Sequence, residues 1–256
     1  MLLNAGANHN ATNDDDDTAL LIAIVWGHKD VVNTLLNAGV DHIYTASSDS
    51  TLLHLAAQKH HPEVVEILLN IGMHPNATDY SGDTPLLCAC AADKRTVEIL
   101  LNAKADVNTV DQFDHTPLHR AARFGNESVT KILIEAGADI RATNKDGKTP
   151  LHWATKCKES NEEVVNILLK ANVNPNVVSD LVFQQDKYGY TALHYAAARG
   201  CINEVKVLIK QFPDLAFVKD NKNRIALDLA IHSNHSYIIE SLQNIKTKRE
   251  FINSER

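Results

Sequence analysis

Residues 116–121 read TPLHRA, and close variants of this phrase return along the chain. They are TALLIA (18–23), TLLHLA (51–56), TPLLCA (84–89), TPLHWA (149–154), TALHYA (191–196) and IALDLA (225–230). Their starts are separated by 33, 33, 32, 33, 42 and 34 residues. A second phrase follows at a fixed offset: VVNTLLNAG, VVEILLNIG, TVEILLNAK, VTKILIEAG, VVNILLKAN and EVKVLIKQF. A third closes most units, as in ADVNTVD and ADIRATN. Self-similarity at such a period marks stacked supersecondary units, each unable to bury its apolar faces alone.

The phrases have a local physical sense. Thr84-Pro85, Thr116-Pro117 and Thr149-Pro150 place a hydroxyl at an N-cap and proline at the first helical position. The hydroxyl accepts from an orphan N–H, and proline loses no helical bond there. Ala56-Ala57, Ala121-Ala122 and Ala196-Ala197 offer small surfaces for close helix approach. Gly27, Gly125 and Gly200 stand where first helices should end in a left-handed residue; Gly39, Gly72 and Gly137 do so for second helices. Val64, Ile67 and Leu68 recur at i, i+3 and i+4, the pattern of a helix with one buried face.

A period of 33 with a TPLHxA phrase resembles the ankyrin repeat, over essentially the whole chain and in six full copies. The resemblance implies an all-α solenoid of stacked helix–turn–helix units with projecting turn or hairpin fingers. Residues 18–245 then hold about seven units, starting near 18, 51, 84, 116, 149, 191 and 225. Residues 1–17 read as the end of a second helix plus a finger, because MLLNAG (1–6) matches TLLNAG (34–39). The expected architecture is a fragment, a truncated gene model or an array with an uncapped front. Residues 246–256 read as a polar tail after a capping unit.

Composition fits such an array. The chain has 256 residues, 44% hydrophobic and 22% charged, ordinary values for a soluble domain. The longest apolar run, residues 19–26, is far short of the roughly 20 a membrane span needs. The start shows no signal-peptide pattern. A formal net charge of -7 argues against a phosphate-backbone binder. Four cysteines, at 88, 90, 157 and 201, have no framework spacing, which favours a reducing, intracellular compartment, cytoplasmic or nuclear.

Chemistry-bearing patterns are weak. There are 13 histidines, but no set has four-ligand zinc spacing. By resemblance, His54, His119, His152 and His194 are structural and bond the turns of neighbouring units. His115 and His119 are four apart, but Thr116 and Pro117 between them put His115 in a finger. Cys88 and Cys90, two apart on one helix, point to different faces. No nucleophile elbow, P-loop or HExxH pattern occurs. Neither catalysis nor a metal or other cofactor is expected.

Two departures from the period stand out. The 42-residue spacing contains two extra residues within 156–163 and seven more within 177–185. The second insertion, VVSDLVFQQ, carries Leu181, Val182 and Phe183. It reads either as an apolar contact for a partner or as a longer finger hairpin folded onto its neighbour. Lys104 and Asn172 replace the second-helix glycine. Lysine tolerates a left-handed backbone poorly.

The resemblance implies a partner-binding face made of finger tips and exposed first-helix positions. That stripe starts acidic at residues 14–17 and turns aromatic and basic from the fourth full unit onward. The candidate contact residues are Trp26, Phe113, Arg120, Arg123, Phe124, Trp153, Lys156, Tyr188, Tyr190, Tyr195 and Arg199. Aromatics and arginine are enriched among interface hot spots. Trp153 and Tyr195 can alternatively pack between adjacent first helices. The expected function is a monomeric, non-enzymatic adaptor or scaffold module for a protein partner with apolar anchors and acidic residues. The alternative is a regulatory or targeting array cut from a larger enzyme, channel or ubiquitin-ligase adaptor. Leu100, Asp106, Val107 and Asn108 also match the pattern that asparaginyl hydroxylases modify in ankyrin repeats. The resemblance thus makes Asn108 a candidate hydroxylation site.

Overall fold

The computed structural model describes residues 10–14, 17–41, 50–91, 94–156, 161–171 and 175–254. The readings placed on residues 1–6, Asp15, Asp16, residues 47–49, Cys157 and Asn172 lie outside them. The chain forms two compact units, Met1–Gln112 and Phe113–Arg256, each taken here by itself.

The first unit contains α1 (Ala19–Val25), α2 (Lys29–Asn37), α3 (Leu52–Gln58), α4 (Pro62–Asn70), α5 (Pro85–Ala89) and α6 (Lys94–Asn102). The second contains α7 (Pro117–Arg123), α8 (Glu127–Glu135), α9 (Pro150–Ala154), α10 (Glu162–Leu169), α11 (Pro175–Phe183), α12 (Ala192–Arg199), α13 (Ile202–Gln211), α14 (Ala226–His232) and α15 (Ser236–Ser254). Every repeat phrase begins one residue before a first helix. The fold is the expected all-α helix–turn–helix array. Among the described residues no strand forms, and Thr12 and Thr18 make an isolated bridge. The described fingers are therefore turns rather than hairpins with strands.

The core follows the repeat. Ala56, Ala57, Ala121, Ala122, Ala196 and Ala197 are fully buried, so first helices meet at methyl rather than isobutyl distance. Leu68, Leu100, Leu133, Leu168 and Leu208 of the second helices are buried as well. Burying such a leucine contributes roughly 2 kcal/mol.

Two sets of side-chain bonds stitch neighbouring repeats. On the finger side, the Thr51, Thr116, Thr149 and Thr191 backbone N–H groups donate to Nδ1 of His54, His119, His152 and His194 at 3.1–3.2 Å. Nδ1 must then carry the lone pair, so Nε2 carries the proton. Those Nε2–H groups donate to carbonyls of the next finger: Asp83 (2.9 Å), Lys148 (2.9 Å), Tyr190 (2.9 Å) and Arg224 (3.2 Å). On the opposite side, the residue opening a second helix reaches back. His61 Nε2 bonds Val25 O at 3.0 Å, Asn161 Nδ2 donates to Ala122 O at 3.3 Å, and His235 Nε2 bonds Ala198 O at 3.3 Å.

Two expectations need correction. The inserted segment is not a hairpin; its residues 177–183 belong to the helix α11. Val178, Leu181 and Val182 fall at i, i+3 and i+4, and all three are buried, Val182 completely. Phe183 reaches the surface beside Phe212, with ring centroids 6.5 Å apart. The segment 246–256, read as a tail, continues α15 as helix to Ser254. Residues 236–254 contain no proline or glycine, and Lys, Gln, Glu and Arg sustain helix.

The left-handed positions fall where the glycine pattern put them. Lys104 takes φ +68° at the site held by Gly39, Gly72 and Gly137 elsewhere. Lysine pays there for a Cβ that glycine lacks. Lys104→Gly should raise stability by about 1 kcal/mol in urea melts; a loss would show the left-handed backbone to be unstrained.

Burial holds the His152 imidazole down at about 4, from 6.5, with Asp186 pulling up and Lys148 pushing down. His194 is lowered for the same first reason. The folded state thus prefers neutral imidazole. Stability is complete above the unfolded value and falls as pH drops from 6.5 toward 4. At pH 5, His152 alone should cost about 2 kcal/mol relative to pH 7. Urea melts of wild type and His152→Gln check this: the variant should lose less on acidification. Identical pH slopes would contradict the assignment.

Candidate protein-binding surface

The fingers of the second unit are built on one repeated device. Asn144, Asp186 and Asp220 each accept from two backbone N–H groups, two and four residues onward. Their partners are Asp146 (3.0 Å) and Lys148 (2.9 Å), Tyr188 (2.8 Å) and Tyr190 (3.0 Å), and Lys222 (2.7 Å) and Arg224 (2.9 Å). Adjacent fingers join by single backbone bonds: Lys145 N to Phe113 O (3.1 Å), Lys187 N to Asp146 O (2.9 Å) and Asn221 N to Tyr188 O (3.2 Å). The turn at Gly147 has φ +77°, and a Cβ there would lie 3.3 Å from Asp186 Cα. Tight turns with fixed spacing leave their side chains projecting in register.

Two ring clusters line this finger and first-helix face. In one, His115 meets Trp153 edge-on at 5.0 Å, and Phe113 lies 5.9 Å from His115. The Arg123 guanidinium sits 5.1 Å from the Trp153 ring centroid and the Lys156 ammonium 4.8 Å from it. In the other, Tyr190 packs edge-on to Tyr195 at 5.4 Å and stacks on His194 at 5.6 Å. The Lys148 ammonium lies between Tyr195 (5.5 Å) and Tyr188 (6.0 Å). Arg224 donates to the Tyr190 hydroxyl at 2.6 Å.

Charge is unevenly balanced here. Asp146 takes both Lys148 (3.2 Å) and Lys187 (2.5 Å), whose hydrogen bonds hold its carboxyl below the usual range. Burial holds the Lys156 ammonium below its ordinary value, reinforced by the like charges of Lys148, Arg199 and Arg123. Arg199 donates to the Lys156 carbonyl at 3.4 Å.

The candidate residues divide by exposure. Phe113, Phe124 and Tyr188 are exposed at 54%, 57% and 52%, and Arg123 and Arg199 are exposed too. Arg120, Trp153, Lys156, Tyr190 and Tyr195 are half-buried. Tyr195 leans toward packing: its hydroxyl donates to Asp186 Oδ2 at 2.6 Å, and burial with that bond pushes it well above the usual phenol range. Trp26, in the first unit, is exposed at the end of α1. Asn108 is exposed, and its N–H donates to Asp106 Oδ1 at 2.9 Å. Sequence reading did not single out Asp146, Lys148, Asp186 or Arg224 as candidate contacts. The recurrence of Asp or Asn at 79, 111, 144, 186 and 220 was the available signal for the finger device.

Other features are less suited to a partner. A surface hollow of about 550 Å³ beside α11 is lined by residues including Asp139, Arg141 and Asp180, with Arg141 and Asp180 paired at 3.7 Å. Among the described residues, no group of three or more His, Cys, Asp or Glu is placed to hold a metal ion. Within that set, no helix is long and apolar enough to cross a membrane.

Comparison with known proteins agrees with the geometry. A family model described as Ankyrin repeats (3 copies) matches residues 43–111, 86–179 and 176–250, and one described as Ankyrin repeat matches 15–45. Inversin of Canis lupus familiaris is 32% identical over 158 residues, 61% of this chain and 14% of its own length. A putative ankyrin repeat protein of Rickettsia bellii is 41% identical over 63 residues, 25% of this chain and 65% of its own. The liver isoform of mitochondrial glutaminase from Rattus norvegicus is 37% identical over 91 residues, 33% of this chain and 15% of its own. The chain thus covers less than two thirds of each relative. Such repeats generally serve as protein–protein interaction modules and are typically non-catalytic. From the period, the stitched helix pairs and these matches together, the chain belongs to the ankyrin-repeat family.

Proposed function

We propose that the chain is a monomeric, intracellular, non-enzymatic module that binds a partner protein through the fingers and first helices of residues 113–224. The observation that carries this is the exposure of Phe113, Phe124 and Tyr188, with Arg123 beside Phe124 and Lys187 beside Tyr188, and with Tyr188 on a turn fixed by its own hydrogen bonds. Large rigid side chains on a pre-ordered frame lose little entropy on binding. The partner segment supplies apolar anchors and negative charge, because the uncompensated side chains here are aromatic and cationic.

A second reading has its own support. The matched segments of Inversin and glutaminase are 14% and 15% of those proteins. The array can accordingly serve as the regulatory or targeting part of a longer chain. An immunoblot of the endogenous protein well above 28.2 kDa supports that reading, and a band at that mass contradicts it.

A photo-crosslinking amino acid placed at Tyr188 should capture a defined partner, and the same residue at Lys131 on α8 should not. Equal capture from both positions would contradict the finger face as the binding surface. Replacing Phe113, Phe124 and Tyr188 together by alanine should weaken the captured partner at least tenfold, each truncated anchor being worth about 1–2 kcal/mol. Retained affinity with an intact fold would end the proposal.

Asn108 is further proposed as a hydroxylation site, supported by its exposure and by the buried Leu100 eight residues before it. Protein from hydroxylase-containing cells should show an added oxygen on Asn108 by mass spectrometry, and its absence there would retire the assignment.

A further inference from the structure

The indole of Trp153 carries an unmet demand. Its Nε1–H is shielded from solvent and has no hydrogen-bond partner among the described residues. A buried donor left unpaired is costly, so an acceptor brought to it is rewarded. Beside the His115 ring at 5.0 Å, two cations lie against that indole: Arg123 5.1 Å and Lys156 4.8 Å from the ring centroid. Arg199 is tied to the same segment through its bond to the Lys156 carbonyl. By contrast, Lys148 and Lys187 nearby share Asp146, and Arg224 has Asp220 at 2.7 Å. No ion pair to a described residue is formed by Arg123, Lys156 or Arg199. Burial, and then the neighbouring cations, disfavour the charged form of Lys156 against a smaller pull from Asp146. An aromatic N–H and three cations thus lie along one stretch, and among the described residues none of the three cations has an ion-pair partner.

We propose that Arg123, Lys156, Arg199 and the Trp153 N–H form a seat for a phosphoryl group carried on a segment of the partner protein. This rests on the protein-binding reading above and gives it a specific ligand chemistry. A carboxylate offers one charge and two oxygens; a phosphoryl group offers nearly two charges and three acceptor oxygens. Two guanidinium forks, an ammonium and an indole N–H fit the second inventory better. The stems of Arg123 and Lys156 are flexible, so a small displacement opens the indole edge to an oxygen. A nucleic-acid phosphate is disfavoured by the chain's net charge of -7.

The test needs no identified partner. Trp26→Phe leaves Trp153 as the only tryptophan, so its fluorescence reports the seat directly. Phenyl phosphate should change that emission saturably, and phenylacetate at least tenfold more weakly. Arg123→Gln with Arg199→Gln should abolish the response, with the fold checked by circular dichroism. Lys131→Gln on α8 should leave it unchanged. Equal binding of phenyl phosphate and phenylacetate would overturn the phosphoryl assignment, as would no binding of either. Tighter binding of oligothymidylate than of phenyl phosphate would overturn the choice of a protein segment. Failure here leaves the crosslinking result at Tyr188 standing, so the two readings fall separately.

Discussion

The structure depends on one hydrogen bond made four times over, from a histidine Nε2–H to the carbonyl of the next finger. It solves the problem set by the repeat, in which no unit can bury its faces by itself. The same ring also closes the N-terminus of its own helix through Nδ1. One side chain therefore joins local capping to coupling between repeats. For His152 and His194, burial also makes protonation costly, which ties the stacking of their units to the neutral ring.

Finger register follows from this coupling. The fingers of Asn144, Asp186 and Asp220 are braced internally by that residue, behind by His119, His152 or His194, and sideways by one backbone bond. Their side chains are held in place before any partner arrives. The aromatic and cationic groups of residues 113–224 thus occupy a pre-ordered frame. Lys148 shows how closely the frame and the surface are joined: its carbonyl receives His119, and its ammonium lies against Tyr188 and Tyr195.

Most of the fold was legible because its rules are periodic. TPLHxA announced the cap, the proline and the histidine, and glycine spacing announced the left-handed ends. The inserted segment was misread because the repeat frame labelled it a finger. Its own spacing, Val178, Leu181 and Val182, is helical and was there to be read. The polar end was misread because polarity was equated with a tail, although the residues are good helix formers. The surface was legible only as a list of side chains. Sequence could not tell that the Tyr195 hydroxyl is spent on Asp186, nor that the Trp153 N–H has no partner among the described residues. Both depend on distances between repeats.

The bridging histidines are open to direct observation. Long-range proton–nitrogen correlation spectra at neutral pH report which imidazole nitrogen carries the proton. For His54, His119, His152 and His194, the account predicts a protonated Nε2 and a bare Nδ1. A proton on Nδ1 of these rings, or signals averaged by free exchange between the two nitrogens, would contradict it.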